Sequence, residues 1–170
     1  WKKTGSAAAT RLSKDNTGFE YQPSFSRDGK KLLYTAWSDQ SQGSIRELDL
    51  SSGAQRILST EPGFYYQPRY SPNGQQLVFV KTGGSSLTGS LNSNERGIYL
   101  SSTNTWTPIK IADGGDPQFT PDGKYVVYMT GGDLSKKVMR IGINGDRPRE
   151  VFSLKYVDSV QLSPDGKHIL

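Results

Sequence analysis

The sequence predicts an all-β fold built by repeating one four-stranded antiparallel unit, and three observations predict it. First, a turn quartet occurs in four near copies: Ser26-Arg27-Asp28-Gly29, Ser71-Pro72-Asn73-Gly74, Thr120-Pro121-Asp122-Gly123 and Ser163-Pro164-Asp165-Gly166. Second, their glycines recur at intervals of 45, 49 and 43 residues, a period that marks a modular array. Third, the composition suits short strands and turns: 33% of residues are hydrophobic, aromatics reach 11%, and there are 19 Gly and nine Pro.

Each quartet reads as a type I turn. Ser or Thr suits the first position, Pro presets φ at the second, and Asp or Asn is tolerated at the third. Gly supplies positive φ at the fourth. Arg27 replaces Pro in the first copy, which leaves the unfolded chain looser without forbidding the turn. The strand entering each turn ends near Phe25, Tyr70, Phe119 or Leu162. The strand leaving it begins Leu32-Leu33-Tyr34, Leu77-Val78-Phe79, Val126-Val127-Tyr128 or His168-Ile169-Leu170. Leu32-Leu33-Tyr34 and Val126-Val127-Tyr128 are apolar on both faces, which fits a second strand sandwiched between neighbouring sheets.

A second pair of strands completes each unit. Ile45–Leu50 alternates apolar and polar, turns at Ser51-Ser52-Gly53 and returns through Ala54–Leu58. Ile98–Leu100 pairs with Trp106–Ile109, and Val138–Ile141 turns at Asn144-Gly145 into Glu150–Phe152. Four short strands per repeat point to a β-propeller blade. The expected fold is a β-propeller segment of four-stranded antiparallel blades, about three complete with partial blades at both ends. The end of a preceding blade occupies 1–13, followed by blades over 14–59, 60–112 and 113–154 and the first half of a further blade over 155–170. Propellers close with about four to eight blades, so a larger ring is expected.

The repeat resembles that of TolB-like, WD-type β-propellers. The likeness rests on Tyr21-x-Pro23-x-Phe25-Ser26-x-Asp28-Gly29-Lys30, with Leu32 and Tyr34 following, and on Ile45-x-x-Leu48-Asp49-Leu50-Ser51-Ser52-Gly53. A narrower likeness joins Trp37-Ser38-Asp39 with Gly43, Glu61–Pro68 and Gly114–Phe119. These stretches resemble the propeller portion of bacterial exported amidohydrolase-like proteins. That resemblance implies a non-catalytic scaffold that shapes or gates access to a separate catalytic domain, in a periplasmic or extracellular protein. The alternatives are a TolB-like periplasmic module that binds a protein or peptide, and the gating propeller of a prolyl-oligopeptidase-like serine peptidase.

Little in the residues points to chemistry. The net charge is +5, but the basic residues are scattered with few doublets, which reads as a solvated surface and not a nucleic-acid footprint. No stretch approaches the roughly 18 apolar residues of a membrane span. Cysteine is absent and His168 is the one histidine, so thiolate sites are excluded and a catalytic triad has a single candidate base. The glycine spacing of Gly84–Ser90 resembles a phosphate loop but lacks the lysine. Asp28, Asp122 and Asp165 supply one carboxylate per turn, too few for calcium. No catalytic residue, cofactor or metal is expected.

The expected working surface follows from topology. The quartets lie at one end of the sheets. The loops Ser38–Gly43, Glu61–Tyr66, Lys81–Arg96 and Thr130–Lys136 gather at the other, where variable loops on a rigid scaffold usually carry function. Trp37, Phe64 and Tyr65 are candidate aromatic anchors there, although packing between blades is the favoured reading. Gln22, Gln67, Asp116 and Asp158 are assigned matching positions at the start of the innermost strands, facing a central channel. The expected partners are the rest of the propeller and a catalytic domain of the same chain, or a protein or peptide.

Overall fold

A computed structural model describes residues 11–13, 18–82, 95–132 and 134–170. Among the described residues, twelve strands fall into three sheets of four, each joined in simple sequence order. The first sheet holds β1 (Phe19–Phe25), β2 (Lys31–Ser38), β3 (Gln42–Asp49) and β4 (Gln55–Ile57). The second holds β5 (Phe64–Tyr70), β6 (Gln76–Thr82), β7 (Gly97–Ser102) and β8 (Ile109–Ala112). The third holds β9 (Gly115–Phe119), β10 (Tyr125–Gly132), β11 (Ser135–Gly142) and β12 (Arg149–Leu154). Beyond it, an antiparallel bridge joins Leu162 to Ile169 across the fourth quartet.

All four quartets form the same turn. The glycine N–H donates to the carbonyl of the first residue over 2.8 to 2.9 Å, and the glycines sit at φ of 68 to 71°. In the first turn the Asp28 carboxylate accepts from the Ser26 hydroxyl at 2.7 Å and the Lys30 N–H at 3.1 Å. Asp122 does the same with Thr120 and Lys124. These hydroxyl and amide donors hold the Asp28, Asp122 and Asp165 carboxyls below the usual aspartate value.

Successive turns also nest. A Cβ on Gly123 would meet Pro72 at 3.5 Å, and one on Gly166 would meet Pro121 at 2.8 Å. Gly74 has open space instead, because Arg27 stands where the preceding turn would offer a proline ring.

Apolar side chains of the second strands fill the spaces between sheets. Leu33, Ile45 and Leu58 meet Tyr65, Leu77, Phe79 and Tyr99. Val78, Val80 and Ile98 meet Val126, Tyr128 and Ile141. Val127, Met129 and Val138 are covered by Val160. Each such side chain contributes about 1.5–3 kcal/mol on burial, so the sheets are held chiefly through β2, β6 and β10.

Two expectations about elements need correction. Trp106–Ile109 is not a strand; β8 starts at Ile109. Pro108 has no N–H to give a ladder, and Trp106 instead stacks on Phe79 at 5.1 Å and meets Tyr65 edge-on at 5.9 Å. The connections Ser38–Gly43 and Thr130–Lys136, expected as variable loops, are largely taken up by the strand ladders. The β2–β3 ladder continues to Ser38 opposite Gln42, and the β10–β11 ladder to Gly132 opposite Ser135. Most of the Lys81–Arg96 connection, with the Gly84–Ser90 stretch, and residues 1–10 lie outside the described residues.

One charged group is built into the first interface. Glu47 of β3 is 4% exposed. Arg56 Nε donates to it at 2.7 Å, Lys31 Nζ at 3.2 Å and the Tyr70 hydroxyl of the second sheet at 2.6 Å. Arg56 also donates to the Thr103 carbonyl at 3.1 Å, so the cluster ties two sheets together. Burial alone would push the Glu47 carboxyl up, but the donors from Arg56, Tyr70 and Lys31 outweigh it and hold the carboxyl below its ordinary value.

Candidate channel-side surface

The innermost strands β1, β5 and β9 carry the same irregularity. Each ladder shifts register between Tyr21 and Ser24, between Tyr66 and Arg69, and opposite Val127 and Met129. The extra residue in each bulge is the one before proline, whose ring removes a ladder donor. Gln22, Gln67 and Asp116 therefore stand at φ of 53, 52 and 52°, a left-handed conformation that non-glycine residues seldom adopt.

The bulges aim these side chains sideways, at the next sheet. The Gln67 N–H donates to Gln22 Oε1 at 2.7 Å, the Asp116 N–H to Gln67 Oε1 at 2.9 Å, and the Val160 N–H to Asp116 Oδ2 at 3.0 Å. Each blade thus satisfies a backbone donor of its successor. Gln118 adds a second link, accepting from the Leu162 N–H at 3.1 Å and donating to the Val160 carbonyl.

Asp158 does not take part in this series. Counted back from the quartets, the position of Gln22, Gln67 and Asp116 falls on Ser159, and the amide that closes the chain of bonds is that of Val160. Asp158 instead shares a cleft of about 320 Å³ with Gln67, Asp116, the Gly114-Gly115 pair and Lys136. Gln22 lies outside that cleft. Asp116 is 8% exposed, with Arg69 Nη2 at 3.7 Å from its second oxygen.

The aromatic candidates divide. Side chains alternate along a strand, so Phe64 and Tyr65 cannot share a face. Tyr65 is 1% exposed, inside the core between the first two sheets, and its hydroxyl donates to the Glu61 carbonyl at 2.7 Å. It is a packing residue, not an anchor. Trp37 and Phe64 stack at 4.0 Å and 29°. The row runs on from Phe64 to Tyr66 at 6.4 Å and from Tyr66 to Tyr21 at 5.7 Å. Burial, with the neighbouring Tyr66 hydroxyl, pushes the Tyr21 phenol up to about 12, so Tyr21 keeps its proton at ordinary pH.

Sequence reasoning missed Tyr21 and Tyr66 as members of that row. The signal was present, since both precede the bulge residue in their repeats. Among the described residues, no group of three or more His, Asp or Glu side chains is placed to hold a metal. His168 stands exposed, its Nδ1 4.0 Å from Asp165.

Sheets of four antiparallel strands, packed face to face and stitched at their inner edges, define a segment of a β-propeller. The chain belongs to the TolB beta propeller domain family, whose model matches residues 14–170. Among solved structures it is similar to TolB from Acinetobacter baumannii (23% identity, TM-score 0.67), with 87% of this chain and 36% of that chain covered. It is also similar to oligogalacturonate lyase from Vibrio parahaemolyticus (14%, TM-score 0.72), covering 94% of this chain and 49% of that one. Acylaminoacyl peptidase from Pyrococcus horikoshii (13%, TM-score 0.60) is covered over 26% of its chain by 86% of this one. These likenesses show the fold. No curated protein sequence matches the chain. The chain spans between about a quarter and a half of the solved chains named.

Proposed function

We propose that the chain is a non-catalytic segment of a larger β-propeller in a bacterial exported hydrolase of amidohydrolase type. In this reading it shapes or gates access to a separate catalytic domain and works in the periplasm or outside the cell. The observation that carries it is the gathering of polar and aromatic groups at the sheet end opposite the quartets. The Gln67–Asp116–Asp158 cleft and the Trp37–Phe64–Tyr66 row lie there together. Stacked rings and a polar cleft at one end of the sheets suit a docked protein domain, since aromatic groups with polar surroundings characterise such interfaces. The amidohydrolase element rests on the resemblance at Trp37–Asp39, Glu61–Pro68 and Gly114–Phe119. Family membership favours a second reading, a TolB-like module that binds a separate protein or peptide at the same surface.

Site-specific photo-crosslinking in the protein's native host tests both. A benzophenone side chain placed at position 37 or 158 is expected to crosslink to a catalytic domain of the same polypeptide. Crosslinks from these positions to a separate polypeptide select the second reading. Crosslinks from position 122, in a quartet, with none from 37 or 158, would overturn both.

A further inference from the structure

Two departures from the repeat meet in one cleft at the turn end of the inner strands. The second residue of each quartet is proline except at Arg27, and the residue two before each quartet is Ser24, Arg69, Gln118 or Gln161. Arg27 and Arg69 belong to different blades, yet both line a cleft of about 350 Å³. Its apolar wall is the residue before each quartet: Phe25, Tyr70, Phe119 and Leu162. Among the described residues, no carboxylate lines it. The cleft lies at the other end of the sheets from the proposed docking surface and does not rest on that reading.

Neither guanidinium is fully engaged by the fold. Arg27 reaches past the second blade to the Pro121 carbonyl of the third, a long contact of 3.5 Å. Arg69 Nη2 stands 3.7 Å from Asp116, whose other oxygen accepts from the Val160 N–H, and Arg69 Nε is buried with no hydrogen-bond partner. Gln118, at Arg69's place in the third blade, instead commits both ends of its amide to the next blade. The cleft also stays open where sheets are added. The second blade packs a sheet on either side, and the Arg69 side chain is still 42% exposed. A following sheet covers the faces of its neighbour, as at Glu47, and leaves the turn ends of the inner strands clear. Phe25 accordingly stands 53% exposed at the rim.

We propose that this cleft binds a small amphipathic carboxylate, an apolar body bearing one carboxylate, with Arg27 and Arg69 holding the anionic end. Planar guanidiniums match a carboxylate, and apolar walls around charge of one sign focus its field on an entering anion. The volume falls in the range of small-molecule sites. An inorganic anion would leave the wall of Phe25, Phe119 and Leu162 in water, and a neutral apolar molecule would leave both guanidiniums unmatched. The proposal also accounts for Arg27 in a turn position that proline suits better.

Titration with phenylacetate at constant ionic strength, followed by backbone amide chemical shifts, tests the site. Acetate and the neutral phenylacetamide serve as partial ligands. Saturable shifts centred on Ser71 and Ser163 are expected with phenylacetate, at an affinity that neither partial ligand approaches. Arg27→Pro and Arg69→Gln are each expected to weaken phenylacetate binding about tenfold or more. Both substitutions place a residue that another blade already carries at the same position, so the fold tolerates them, and amide shifts away from the cleft report that it is intact. Arg147→Gln, which removes a guanidinium outside the cleft, should leave binding unchanged. No saturable phenylacetate binding, binding that survives both Arg27→Pro and Arg69→Gln, or equally tight binding of phenylacetamide would overturn the proposal.

Discussion

Arg27 is the residue at which the repeat and the chemistry part company. The other three turns have proline there, and two of those rings rest on the glycine of the following turn. Arg27 leaves Gly74 uncovered and instead reaches the Pro121 carbonyl at 3.5 Å, a long contact. Position two of a type I turn has the φ that proline fixes, and Arg27 contributes no donor to the backbone hydrogen bonds of its turn. Arg27→Pro is therefore expected to stabilise the protein by about 0.4–1 kcal/mol, mainly by restricting the unfolded chain. Urea denaturation would measure this as a higher midpoint with an unchanged slope. The quartets were readable in advance because their chemistry is local, completed within six residues. The sequence marks Gln22, Gln67 and Asp116 as matching positions at the start of the innermost strands, expected to face a central channel. Their partners are amides 44 to 49 residues away, so their role as inter-blade acceptors had no local signal.

Strands and interfaces show the same division. The buried second strands were readable from apolar runs on both faces, and the half-buried β3 from alternation. The fourth strand of the second blade was misplaced because Trp106 reads as a strand residue, yet packs better over Phe79 once Pro108 has removed a donor. Phe64 and Tyr65 were grouped by sequence proximity, which strand geometry separates. The Glu47 cluster likewise needed the register of β3 with β4 and the approach of Tyr70. It has a direct consequence for pH dependence. The folded Glu47 carboxyl lies below its ordinary value of 4.5, so the unfolded state binds the proton more readily. The stabilisation is fully present above about pH 4.5 and is lost as pH falls through the depressed folded value. Asp28, Asp122 and Asp165 shift in the same direction from exposed positions and add less. Glu47→Gln is expected to cost about 1–3 kcal/mol at neutral pH, and to flatten the fall in urea midpoint between about pH 6 and pH 3. An unchanged slope of stability against pH in Glu47→Gln would remove Glu47 from the acid response.

Across the whole molecule, apolar packing and the bulge acceptors recur from blade to blade with different reach, beside the Glu47 cluster and the nested turns. Apolar packing between β2, β6 and β10 and their neighbours supplies most of the holding energy without direction. The bulge acceptors supply direction: each inner strand accepts a hydrogen bond from an amide of the next, and Gln118 of β9 adds a second link. That arrangement also positions Gln67 and Asp116, which line the cleft with Asp158. Backbone strain at three left-handed residues is the cost of the stitch, about 1–3 kcal/mol each, offset by bulges that let one blade address another. Amide hydrogen exchange, followed residue by residue, tests this stitching most directly. In the parent protein the amides of Gln67, Asp116 and Val160 should be protected. Gln22→Ala should release the Gln67 amide, Gln67→Ala that of Asp116, and Asp116→Ala that of Val160, each one blade onward with the core amides of β6 and β10 still slow. Release confined to the substituted blade, or no change in any of the three amides, would contradict the account.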